Sequence, residues 1–277
     1  MTNRTLINIA AAGLLLTAAG CVDVENVQSD SLARSATRLS GTELGAGHFE
    51  ITSLHFVVSA YGRENAQEYS DLAENNYQEI MEETGLYSFV PAQPYEIVIY
   101  ADRNEYLQKS GQPQWSGGMT MGNAVLLYEN DQLPPVMAHE MTHLVFNEFM
   151  GRPTPNLRWL NEGLAVHMEL AALGGTAAAA YRSDSRTQLK TGRVPFSQMF
   201  AFVPRDEEAG RVNLWYRQCE SVATYLLTNG GRLAFSIFLK ELRDGKSVDT
   251  ALRDAFPGKW DGAAELEQLW IKQLESA

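Results

Sequence analysis

His139-Glu140-Met141-Thr142-His143 places two histidines four residues apart with a carboxylate beside the first. The stretch lies inside a pattern that reads as helix, with Met137, Met141, Leu144 and Val145 available for the buried side. Residues four apart on a helix lie one above the other. The two imidazoles can therefore converge on one ion, and Glu140 can reach a water held by that ion. By residue frequencies alone such a motif arises in roughly one chain in a hundred of this length, so it needs support from elsewhere in the sequence.

That support is Trp159-Leu160-Asn161-Glu162-Gly163-Leu164-Ala165, whose carboxylate lies nineteen residues after His143 near the start of a second helix. Glu162 then supplies a third ligand. Two histidines and one glutamate leave a fourth tetrahedral position for water, the arrangement of a catalytic zinc site rather than a closed structural one. Zinc itself is inferred from the donor types. Should Glu162 not serve, Glu169 is the next carboxylate in line. The plainer readings are that Glu140 is a solvated helix acid and Glu162 a favourable charge near a helix N-terminus.

The HEMTH sequence followed at this interval by WLNEGLA resembles the gluzincin metallopeptidases, in particular the peptidase MA-like group of bacterial envelope proteins. The resemblance implies a zincin-like α+β fold, a peptide or protein substrate, zinc on His139, His143 and Glu162, and Glu140 as general base. It departs from the thermolysin branch at Val166, where that branch carries an acid four residues after the third ligand. It also points to Tyr216, in Leu214-Trp215-Tyr216-Arg217-Gln218, as a donor to the oxyanion; packing of that ring on its own helix is the alternative. Trp115 to Leu127 resembles the edge strand that pairs with an extended substrate backbone, with Gly117 and Gly118 permitting close approach. A plain hairpin turn would use the same glycines. His167 is five residues past Glu162, a spacing that points it away from the metal, and neither His48 nor His55 has a motif around it. Set against the peptidase is a non-catalytic, zinc-stabilised envelope lipoprotein acting as a chaperone or binding module. A third possibility is hydrolysis of a non-peptide amide or ester.

The elements support an α+β class: a small mixed or antiparallel sheet with one helix, then the zinc-binding helix and a mostly helical C-terminal lobe. Strands are expected over His48–Ser59, Tyr95–Tyr100 and Met119–Tyr128, and an amphipathic helix from Glu64 to Thr84 capped by Gly85. The HExxH helix opens near Pro134 and ends at Gly151, and further helices open at Trp159, Leu214, Arg232, Ser247 and Ala264. The alanine run Ala177 to Ala180 suits a loop or a helix start equally well.

The N-terminus reads as a targeting segment. Arg4 precedes an apolar run from Leu6 to Ala19, and Thr17-Ala18-Ala19-Gly20-Cys21 resembles a bacterial lipobox with Ala18 at the usual leucine position. The expected organisation is a signal peptide over 1–20, a lipidated Cys21 with a tether through 47, and a metallopeptidase domain over 48–277. An ordinary signal peptide cut near Ala19 or Gly20, leaving Cys21 as a free thiol, is the alternative. Either places the chain outside the cytoplasm, and the lipid would hold it on a bacterial envelope membrane. A formal charge of −12 argues against a nucleic-acid partner and against electrostatic attachment to an anionic membrane. Cys219 is the only other cysteine, so no disulfide framework is available if Cys21 is acylated.

Overall fold

The computed structural model describes residues 42–114, 116–204 and 207–276. The expected signal peptide, Cys21, the expected tether as far as residue 41, and Trp115 lie outside the described residues.

Five strands form one mixed sheet: β1 (His48–Thr52), β2 (Phe56–Tyr61), β3 (Tyr95–Tyr100), β4 (Met119–Met121) and β5 (Ala124–Tyr128). Their spatial order is β1-β2-β3-β5-β4. The three inner strands run parallel, while β1 and β4 pair antiparallel at the two edges. Two sequence expectations are corrected here. His48–Ser59 is a hairpin, not one strand, because the chain turns at Ser53 to His55 and leaves Leu54 exposed. Met119–Tyr128 likewise folds back on itself at Gly122, whose φ of 61° is accessible to glycine at little cost.

Alternation along the inner strands sends side chains to two faces, and both are covered. Ile97, Ile99, Val125 and Leu127 join the main core with α1 (Arg63–Thr84) and α3 (Leu133–Met150). Tyr100 and Leu126 face the other way, into a smaller cluster with Tyr106 of α2 (Arg103–Ser110), Met119 and Leu44. The near-continuous apolar sequence of β5 follows from burial on both sides. Leu44 belongs to that cluster, and Tyr100 donates from its hydroxyl to the carbonyl of Thr42 at 2.9 Å. Residues 42 to 44 thus make contacts with the sheet region ahead of His48, where β1 begins.

The C-terminal lobe is helical, which makes the fold α+β as expected. It comprises α4 (Arg158–Leu173), α5 (Gly175–Gly192), α6 (Phe196–Ala201), α7 (Ala209–Gly230), α8 (Arg232–Arg243), α9 (Val248–Ala255) and α10 (Ala263–Ser276). The alanine run lies inside α5. Helices α2 and α6 have no counterpart in the sequence reading, since each buries only one or two side chains. Helix α4 packs between α3 and α7, so the HExxH helix and the WLNEGLA helix share an interface. Among the described residues no helix is long and apolar enough to cross a membrane.

Candidate metal centre

Helix α3 starts with Pro134 and Pro135 in its first turn and ends at Gly151, a left-handed cap with φ 64°. Between these stops it is buried almost throughout, lying between the sheet and α4. Helical spacing then sets His139 and His143 side by side, ring centroids 4.9 Å apart and nearly perpendicular. Glu162 reaches them from α4: its Oε2 is 3.8 Å from Nε2 of His139 and 3.6 Å from Nε2 of His143. All three residues are buried, and their ligand atoms lie within 4.8 Å of one another.

Each imidazole is oriented from behind. Nδ1 of His139 donates to Oε2 of Glu169 at 2.9 Å, and Nδ1 of His143 donates to Oδ1 of Asn161 at 2.9 Å. In the neutral ring with the proton on Nδ1, Nε2 presents its lone pair to the shared space. The Asn161 amide is itself set by donation to Oδ1 of Asn147 at 3.4 Å. Nε2 of His143 is buried and makes no hydrogen bond. A buried polar atom left so is costly in an ordinary core. Ligands each ~2 Å from one tetrahedral ion would be about 3.3 Å apart, close to the separations seen, so the donor set fits zinc.

Electrostatics agree with a cation at this place. Burial pulls the His139 imidazole down, but the hydrogen bond and charge of Glu169, with the charges of Glu140 and Glu162, outweigh it and raise its pKa to about 9. Burial and the charge of Glu162 push the Cys219 thiol well up, which fits a small buried hydrophobe and not a nucleophile.

Glu140 is buried beside the cluster but is not one of its three members. Oγ1 of Thr120 on β4 lies 2.8 Å from its Oε2 and 2.9 Å from its main-chain oxygen. Strand β4 is the sheet edge nearest the cluster, and Gly118 just before it presses on α3: a Cβ there would sit 3.3 Å from Cγ of Glu140. Tyr216 is buried on α7, its ring 5.1 Å from Trp215, one turn before Cys219 at the interface with α4. The remaining histidines are engaged elsewhere. His167 pairs with Thr224 and Glu83, His55 with Glu74, and His48 with the carbonyl of Gly45.

Two residues of this centre orient the imidazoles, a part that the sequence alone does not assign to them. Asn161 carried a visible signal, since it adjoins Glu162 and must share the end of α4 nearest the metal. Glu169, considered only as a substitute ligand, is two helical turns beyond Glu162 and so on the same face. The position where the thermolysin branch has its acid is the buried, apolar Val166, and Glu169 provides the carboxylate three residues later.

The chain belongs to the Peptidase MA superfamily, whose family model matches residues 73–275, from the middle of α1 to the end of α10. Membership suggests a metallopeptidase, and His139, His143 and Glu162 form a group able to hold a metal ion. No curated protein matches the chain.

Proposed function

We propose that the protein is a zinc-dependent peptidase. The observation that carries this reading is the convergence of His139, His143 and Glu162 with a fourth buried acid, Glu140, beside them and outside the ligand set. A zinc site needed only for stability would have no use for that acid. When bound, zinc supplies Lewis acidity, which polarises a carbonyl and brings the pKa of water near neutral. Glu140 accepts the proton of the attacking water and returns it to the leaving amine. Glu169 and Asn161 hold the imidazoles in the ligating tautomer, and the phenol of Tyr216 is the candidate donor to the oxyanion. An extended peptide pairs along β4, an edge strand among the described residues.

Replacement of Glu140 by Gln tests the reading. Zinc content and melting temperature should match the wild type, while cleavage falls by roughly 10²–10⁴-fold. Wild-type cleavage should also vanish with a chelator. Wild-type protein that holds zinc yet cleaves nothing in a broad peptide library would support the binding-module alternative.

We further propose that the protein is exported and held on the bacterial envelope by a lipid on Cys21. A diacylated N-terminus buries enough methylene to hold an acidic protein on a bilayer. Cys21→Ser should move it from the detergent phase to the aqueous phase. Wild type found already in the aqueous phase would refute the anchor.

A further inference from the structure

We propose that Thr120 is a positioning residue for Glu140, tying the orientation of the base to the edge strand along which substrate would bind. This rests on the peptidase reading and deepens it. Alternation on β4 sends Met119 and Met121 into the cluster around Tyr100 and Tyr106, and Thr120 to the opposite face, toward α3. Its single hydroxyl proton lies between two acceptors of one residue, Oε2 and the main-chain oxygen of Glu140. The carboxylate is thereby held against β4 in preference to the other rotamers of a glutamate.

The strand is fixed from its far side. Ser116 is buried, its hydroxyl donates to the carbonyl of Gly118 at 3.0 Å, and it receives the hydroxyl proton of Tyr106 from α2. Gly118 has no side chain to keep this segment off α3. A Cβ at that position would meet Leu127 at 2.8 Å and Val136 at 2.9 Å. A chain of contacts thus runs from α2 through Ser116 and Gly118 to Thr120 and the base. Threonine suits the end of that chain because its branched Cβ leaves few χ1 states. A general base must sit within hydrogen-bond reach of the proton it takes, and a misplacement of about 1 Å can cost roughly 10²-fold. A strand that both receives substrate and holds the base makes the two events depend on each other.

The test compares zinc-loaded wild type, Thr120→Val and Thr120→Ser for zinc content, melting temperature, kcat and KM, together with crystal structures of wild type and the valine variant. Valine keeps the shape and removes the hydroxyl; serine restores it. Thr120→Val should lower kcat by about 10–100-fold with zinc content unchanged and KM within about twofold. Serine should recover most of that loss, and the Glu140 carboxylate should leave its place in the valine structure. Wild-type turnover in Thr120→Val, a serine variant as slow as valine, or an unmoved carboxylate would each overturn the proposal. If the wild type cleaves no peptide, the peptidase reading fails; the position of Glu140 in the valine variant still decides whether Thr120 holds it.

Discussion

Oε2 of Glu169 accepts the Nδ1 proton of His139 at 2.9 Å, so the first histidine of the HExxH pair is oriented by a carboxylate two turns beyond Glu162 on the neighbouring helix. Such partners fix the tautomer and raise the basicity of the ligating nitrogen. Glu169→Ala should weaken zinc binding by about 10–100-fold, measured by competition with a chromophoric chelator. Glu169→Gln, which keeps an acceptor oxygen, should lose less. Equal affinity in wild type and Glu169→Ala would mean that packing alone aligns His139.

Oε2 of Glu162 lies within 4 Å of Nε2 of both imidazoles, where it could complete a metal site with them. If Glu162 is the third ligand, its removal should be more damaging than that of Glu169, because the ion would lose a direct bond and a neutralising charge. Glu162→Ala should not retain zinc through gel filtration. A variant that keeps one zinc per chain with wild-type affinity would place the third ligand elsewhere.

Zinc binding should release a proton near neutral pH. Zinc needs a neutral imidazole, and the His139 pKa of about 9 leaves it mostly protonated at pH 7. Affinity should therefore climb with pH up to about 9 and then level. Calorimetry in buffers of different ionisation enthalpy would report close to one proton displaced by His139, and less in Glu169→Ala. For the metal-free chain the sign is opposite. A pKa raised above the usual 6.5 stabilises the fold below that value, and the contribution is lost as pH rises through about 9.

Gly163, next to Glu162, lets α4 press against the backbone of α7 at Cys219. A Cβ there would stand 2.4 Å from the carbonyl oxygen of Cys219 and 2.8 Å from its carbon. Those are backbone atoms and cannot swing aside. Alanine ordinarily favours a helix over glycine by ~1 kcal/mol, but here the helices must part. Gly163→Ala should destabilise the fold by about 1–3 kcal/mol and reduce zinc retention, seen by thermal unfolding with parallel metal analysis. An unchanged melting temperature and metal content would show that the interface yields.

Much of the helical framework could be read locally. Gly85 and Gly151 stop α1 and α3 in the left-handed conformation that glycine adopts readily. The period of the apolar residues marked the elements between such stops, and the strand Tyr95–Tyr100 was visible from its β-branched centre. Helix α5 was not, because it buries only Ala178, Ser185 and Leu189 and so shows little apolar stripe. The two hairpins were missed because their turns, Ser53 to His55 and Gly122-Asn123, are only two or three residues long. A turn such as Gly122-Asn123 interrupts a run by only two positions.

For the centre itself, the sequence by itself determined that His139 and His143 share a helical face, since a spacing of four residues acts within one turn of backbone. It also marked Glu162 as the acid that could join them. Only the tertiary structure decided the strand order, the burial of Leu44, the hold of Thr120 on Glu140 and the pairing of Glu169 with His139. The physical reason is range. A helical repeat is set by hydrogen bonds four residues apart, whereas Thr120 and Glu140 meet across twenty residues and His139 and Glu169 across thirty, distances along the chain that only packing of separate elements can close.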